Sequence, residues 1–198
     1  MPVETHIYDN KFFKNTIKFE ADSASHFVNV VLRYYKPKNI VDIGCGAGIY
    51  LKEFAEKGIN NLLGLDGSPA AAEEFLLSRD KLIIFDLAKK YNFTENYDLA
   101  LCLEVAEHLE EEDADVLVET ITSASNDVIF SAAVPGQGPR SIGHINEQPH
   151  EYWIDKFQKK NFIYLKDRTE EMRREMEILG VVWWIVNNLM VFSSREDL

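Results

Sequence analysis

Basic residues are scarce in this chain. Lys and Arg number 21 against 33 Asp and Glu, a formal charge of −12 over 198 residues. A field of that sign repels phosphate backbones, so nucleic acid is not an expected partner unless a local basic patch overrides the average. Cysteine is rarer still. Cys45 and Cys102 are too few for a disulfide framework and read as reduced packing residues near strand ends. The chain does not open on a basic segment followed by an apolar run, so no secretory signal is expected. Long apolar runs are missing too: the richest stretch, 181–192, contains Asn187 and Asn188 and is too short to cross a bilayer. These absences lead to the expectation of a cytoplasmic protein without membrane insertion. No stretch reads as a linker, and the length suits one domain over 1–198, with 1–20 set apart as an N-terminal arm or a cap over a ligand site.

What is present is a glycine-rich turn between two apolar runs. Ile40-Val41-Asp42-Ile43 leads into Gly44-Cys45-Gly46-Ala47-Gly48, and after an amphipathic segment Leu63-Gly64-Leu65 ends in Asp66-Gly67. Strand, turn, helix and strand make a βαβ opening. There, glycines let the backbone turn sharply and approach a ligand closely, helix amides face that ligand, and an acid at the second strand's tip can accept from ribose hydroxyls. Asp66 has that place. Nucleotide alternatives fit less well: a G-x-G-x-x-G/A fingerprint wants Gly or Ala where Ile49 stands, and a triphosphate loop wants the G-K-S/T that is missing. Asp42 would repel a pyrophosphate, whereas it suits an ammonium group.

The remaining pattern alternates. Helices are expected over 21–35, where Pro37 ends the stripe, over 50–57, from Ser68-Pro69 onward, up to 124, from 149 onward, and over 167–179. Strands are expected at 39–43, 61–65, 81–85, 97–103, 127–132 and 162–165, with one long last strand over 181–192. Glu110 to Glu119 carries an acid run that reads as the solvated face of a helix, complementing its dipole.

V-D-I-G-C-G-A-G-I-Y-L together with L-G-L-D-G resembles the signature of class I S-adenosylmethionine-dependent methyltransferases. The resemblance implies an α/β fold of three layers, a Rossmann-like, mostly parallel sheet of seven strands whose last strand inserts antiparallel beside the fifth. It implies S-adenosylmethionine as cofactor, with Asp42, Gly44, Cys45, Gly46, Asp66 and Gly67 on its nucleoside and methionine ends. Asp86 and Leu87 then hold the adenine, although Asp86 also reads as a helix N-cap, and the two roles are compatible. Leu103 and Glu104, where the fourth strand ends, reach the methionine part.

The acceptor side is less determined. Glu104 to His108 resembles the E-x-x-E-H segment of small-molecule methyltransferases of the ubiquinone-biosynthesis type. His108 can be a base or can position the loop by local hydrogen bonding. Residues 133–148 form a Gly- and Pro-rich loop that holds His144, Asn146, Glu147 and Gln148 close together. His144 is the preferred base there, with Glu147 or Asn146 fixing its tautomer or gripping an acceptor hydroxyl; a self-bonded Ω-loop is the plainer alternative. The segment S-A-A-V-P-G-Q-G-P-R-S-I-G-H-I-N-E-Q-P-H-E-Y-W is similar to one in short bacterial and viral methyltransferases associated with glycan and surface-sugar pathways.

The expected activity is O-methylation of a small polar acceptor, a sugar or glycan hydroxyl. The alternatives are a carboxylate, quinol-like hydroxyl or amine acceptor, or a cofactor-binding partner subunit without chemistry. No compact His/Cys/Asp cluster marks a metal site, so none is assigned, although carboxylates distant in sequence leave magnesium open. A monomer or homodimer is expected.

Overall fold

The computed structural model describes residues 8–137 and 142–195. Its spine is a seven-stranded sheet of order β3-β2-β1-β4-β5-β7-β6. Strands β1 (Asn39–Ile43), β2 (Asn61–Asp66), β3 (Leu82–Ile84), β4 (Leu99–Leu103) and β5 (Asp127–Ser131) pair in parallel. The last strand, β7 (Met190–Ser193), enters antiparallel between β5 and β6 (Ile163–Tyr164), as expected for the class I arrangement.

Helices cover both faces. On one lie α1 (Asn10–Tyr34), α2 (Ile49–Glu56), α6 (Lys166–Leu179) and α7 (Trp183–Asn188), sealing a core that includes Phe27, Leu51, Phe54, Met172 and Ile185. On the other, α4 (Ala114–Ala124) and α5 (His150–Lys159) bury Leu117, Ile121, Trp153 and Phe157. A short α3 (Ala71–Glu74) follows β2. Strands buried on both faces need apolar side chains throughout, which is why β4 and β5 are completely buried. Chain order reverses between β1 and β4, and in open α/β sheets ligands settle in the crevice beyond the carboxyl ends of the strands at that reversal.

Three expected elements differ. The first helix starts at Asn10, capped by the Asp9 side chain accepting from the Phe12 amide at 2.8 Å, because the stripe of Ala24, Phe27 and Val31 continues back through Ile17 to Phe13. Residues 10–20 are therefore helix, continuous with 21–34. The helix expected to run from the end of β4 to Ala124 is α4 alone, preceded by single 3₁₀ turns at Ala106–His108 and Glu111–Asp113. Glu104 has φ 53, a left-handed conformation that turns the chain sharply, and the Glu107 carbonyl accepts instead from the amides of Ile145 and Asn146, at 2.9 and 3.0 Å. Finally, the long strand expected over 181–192 is α7 followed by the four residues of β7. A continuous apolar run has no period to separate helix from strand, and β5 has only five residues for a partner to pair with.

Candidate functional site

The glycine turn after β1 folds back on β2, with the amides of Gly44 and Cys45 both donating to the Leu65 carbonyl, at 2.7 and 3.0 Å. Gly44 has φ +84, and a Cβ there would stand 2.2 Å from Cγ2 of Val105. The turn thus packs directly on the segment leaving β4, which joins the two strand ends on either side of the crevice. Cys45 is buried under the turn, as expected of a packing residue.

Asp66, at the tip of β2, is buried and accepts from the Gly46 amide through Oδ2 (2.7 Å) and from the Ser68 amide through Oδ1 (2.8 Å). Burial raises its pKa, and those two amides oppose the shift. Each carboxylate oxygen keeps a lone pair for a further donor. Asp42 lies one layer deeper, 2% exposed, with Oδ2 lacking any partner. Burial, and then the charge of Asp66, push its pKa up to about 8. Gly67 has room for a neighbour, the closest atom to a Cβ there being the Phe85 carbonyl at 3.7 Å. Asp86 stands apart: exposed, it accepts from the Ala88 amide at 3.2 Å and pairs with Lys89 at 3.0 Å, closing a turn rather than capping a helix, since no helix follows it before β4. Leu87 is buried.

The opposite side of the crevice is built at the end of β4. The Glu104 amide donates to both the carbonyl and the hydroxyl of Ser131. Its carboxylate receives the buried Asn188 amide at 3.1 Å on each oxygen, and Gln137 at 3.4 Å. Burial still holds the Glu104 pKa up against those bonds. Glu107 is fully buried; neither carboxylate oxygen accepts a well-formed hydrogen bond. Burial and the Glu104 carboxylate push its pKa well up, with the backbone amides of Glu107 and Ala133 opposing.

His108 Nδ1 donates to the Gly143 carbonyl at 3.1 Å, the local positioning contact weighed above. Burial, and to a lesser degree His144, lower its pKa to about 4. His144 Nδ1 meets Glu147 Oε1 at 2.9 Å, and the other Glu147 oxygen accepts from the Gly136 amide at 3.0 Å. The two imidazoles meet edge to face, centroids 4.8 Å apart. Glu107, His108 and His144 each bring a ligand-type atom to within 4.8 Å of the others. Asn146 is buried and held by Gln148 rather than by His144. The stretch 138–141 of this loop, like residues 1–7, lies outside the described residues.

Two further residues contribute, Tyr8 from the segment read as an arm or a cap and Glu20, which was not foreseen. Tyr8 bridges the crevice, its phenol oxygen 2.7 Å from His108 Nδ1 and its carbonyl accepting from the Ser68 hydroxyl at 3.0 Å. Glu20 sits on the buried stripe of α1, and burial followed by the Glu104 charge raise its pKa to about 7. An acid on an apolar stripe is a signal that the sequence does carry. For Tyr8 the signal is the aromatic-rich segment 1–20, which gives no partner for it.

A parallel sheet with its crevice at the β1/β4 reversal, a glycine turn and a strand-end acid defines a nucleoside-binding α/β enzyme. The chain belongs to the methyltransferase-domain family, whose model matches residues 19–162. No curated protein matches the sequence. Among solved structures, the sugar N-methyltransferase KedS8 from Streptoalloteichus shares the fold at 14% identity and TM-score 0.69, over 94% of this chain and 92% of that one. The plantazolicin methyltransferase BpumL, solved with SAH, aligns at 16% identity and TM-score 0.60, covering 96% and 89%. The methyltransferase domain of a bacterial Hen1 aligns at 22% identity and TM-score 0.54, covering 72% and 88%. The protein is an S-adenosylmethionine-dependent methyltransferase with the class I fold. No described helix is long and apolar enough to cross a membrane.

The chain's residues fit that cofactor. A bare, buried Asp42 oxygen matches an ammonium group, and Asp66 retains acceptor capacity where a ribose would lie.

Proposed function

We propose that the enzyme methylates a hydroxyl of a small polar acceptor, a sugar or glycan, with histidine assistance at the end of β4. The observation that carries this reading is the convergence of Glu107, His108 and His144, two of whose rings have Nδ1 already engaged. A carboxylate or amine acceptor needs little help with a proton, and for it such a cluster would have no task.

When bound, S-adenosylmethionine supplies an electrophilic methyl group on a sulfonium. The protein has to hold both reactants in line and keep water out. In this reading Asp66 and the turn at Gly44, Cys45, Gly46 and Gly67 grip the nucleoside, and Asp42 takes the ammonium. Asp86 and Leu87 border the adenine, and Leu103 and Glu104 border the methionine chain. Phe13, buried against the glycine turn, and Tyr8 exclude solvent. His144, oriented by Glu147, and His108, oriented by Gly143, face the acceptor hydroxyl and its proton.

The test is transfer of a labelled methyl group to a panel of monosaccharides and nucleotide sugars, with the new bond located by NMR. A methyl on a sugar oxygen is expected. Label found solely on amines or carboxylates would overturn the acceptor class.

A further inference from the structure

We propose that Glu107, His108 and His144 bind one first-row divalent transition-metal ion, through a Glu107 carboxylate oxygen and the Nε2 atom of each histidine. The inference deepens the proposed hydroxyl chemistry and changes the form of the histidine assistance. With both Nε2 lone pairs on the ion, the rings would act by holding an ion whose open position seats and acidifies the acceptor hydroxyl rather than by taking its proton, but ion binding itself does not depend on that reading.

The tautomers are the first support. A carbonyl oxygen only accepts, so the 3.1 Å contact between His108 Nδ1 and Gly143 puts the hydrogen on Nδ1, and the Tyr8 phenol oxygen, 2.7 Å from the same nitrogen, then shares that hydrogen as a second acceptor. The same holds for His144 Nδ1 against the Glu147 carboxylate at 2.9 Å. In both rings the lone pair is then on Nε2. A ligating histidine characteristically donates its other N–H to a carboxylate or backbone carbonyl, which are the two partners found here.

Glu107 supplies an independent sign. Its side chain is fully buried, neither oxygen accepts a well-formed hydrogen bond, the backbone amides of Glu107 and Ala133 only partly offset that burial, and it lies beside a second carboxylate, Glu104. Burying an unpaired carboxylate is unfavourable unless a cation or a proton compensates. A cation within reach of both imidazoles satisfies it.

The set is also preorganised. Glu107 and His108 share the turn Ala106–His108, and the Glu107 carbonyl holds the amides of Ile145 and Asn146, so the loop bearing His144 is tied to that turn. Ligand atoms about 2.1 Å from one ion lie at most about 4.2 Å apart. Adjacent ligands of a four- to six-coordinate ion lie about 3.0–3.4 Å apart, so from a separation of no more than 4.8 Å between one ligand-type atom of each residue, rotation of the side chains by about an ångström or somewhat more completes the set. Two imidazoles with one carboxylate suit zinc, iron, cobalt or manganese better than magnesium or calcium, which prefer all-oxygen shells. Three protein ligands leave positions open, as catalytic sites do.

The experiment is a titration of chelator-treated full-length protein with Co²⁺, read by visible d–d absorption and by calorimetry. Saturation at a single equivalent is expected, with affinity lowered at least about 10–100-fold in His108→Ala, His144→Ala and Glu107→Gln, and unchanged in His26→Ala. S-adenosylmethionine binding to each variant reports that it is folded, and His144→Ala, altered in a loop, decides the matter where the buried variants fail to fold. Cobalt binding equal in the wild type and His144→Ala, or no binding at all, overturns the metal site. If labelled hydroxyl transfer then survives chelation, the methyl-transfer reading stands without the ion. Cobalt bound as expected in an enzyme that methylates no hydroxyl supports the metal site and removes the acceptor reading instead.

Discussion

His144 and Glu147 are joined by a 2.9 Å contact, and the second oxygen of Glu147 is held by the Gly136 amide, so a carboxylate anchored at one end of the loop sets the ring's orientation at the other. Glu147→Gln keeps the size of the side chain and loses the charge that fixes the tautomer. The expected result is a kcat lower by about 10–100-fold, with the affinity for S-adenosylmethionine unchanged. Steady-state kinetics would count against this role if kcat stayed at the wild-type level.

Asp66 holds the glycine turn as well as facing the crevice. Asp66→Ala removes two hydrogen bonds from a charged acceptor to the Gly46 and Ser68 amides, each worth about 1.5–3 kcal/mol. Cofactor affinity is expected to fall by at least about tenfold, alongside a lower unfolding midpoint. Calorimetry showing the same dissociation constant in the variant would remove Asp66 from the cofactor site.

Gly44 tests the link between the two strand ends. Gly44→Ala puts a methyl group 2.2 Å from Val105 Cγ2 at a backbone φ of +84, so steric overlap and strain act together. A destabilisation of roughly 2–6 kcal/mol is expected, from about 1–3 for the conformation and a similar amount for overpacking. Adding Val105→Ala should recover the overpacking part alone. Urea unfolding of the single and double variants measures both, and an unperturbed single variant would contradict the packing described.

Asp42 carries a pH dependence of definite sign. Its pKa rises from 3.8 to about 8 on folding, because burial and then Asp66 disfavour the carboxylate. The folded state therefore binds the proton more tightly. The stabilising contribution is complete below pH 3.8 and is lost as pH rises through about 8. Within that window the loss approaches about 1.4 kcal/mol per pH unit. Asp42→Asn is expected to flatten the profile, so that its stability relative to wild type improves steadily from pH 5 to about 8. Parallel denaturation curves at all pH values would show that Asp42 is ionised in the fold.

Much of this fold is legible locally. The β1 turn and Asp66, the order of strands through β5, and the caps at Gly58 and Gly180, both at positive φ, follow from apolar runs and from glycines whose conformations a side chain would strain. The run 181–192 is not legible, because it is apolar nearly throughout, including Trp183, which the fold leaves exposed, so its pattern has no period to distinguish helix from strand. Asn188, the last residue of the helix there, reaches Glu104 and Gln137 across the fold, a contact with no local signature.

The sequence by itself determined the class of the protein and the half of the crevice formed by the glycine turn and Asp66, since strand, turn and acid lie within a single βαβ unit. Only the tertiary structure decided the other half. Glu107 and His108 come from the turn after β4, His144 and Glu147 from the loop after β5, and Tyr8 from the segment before α1. The parallel pairing of β4 with β5 sets their carboxyl ends side by side, and α1 brings Tyr8 across the crevice. No local pattern encodes those distances, because they depend on which strands pair and on how the helix crosses the sheet.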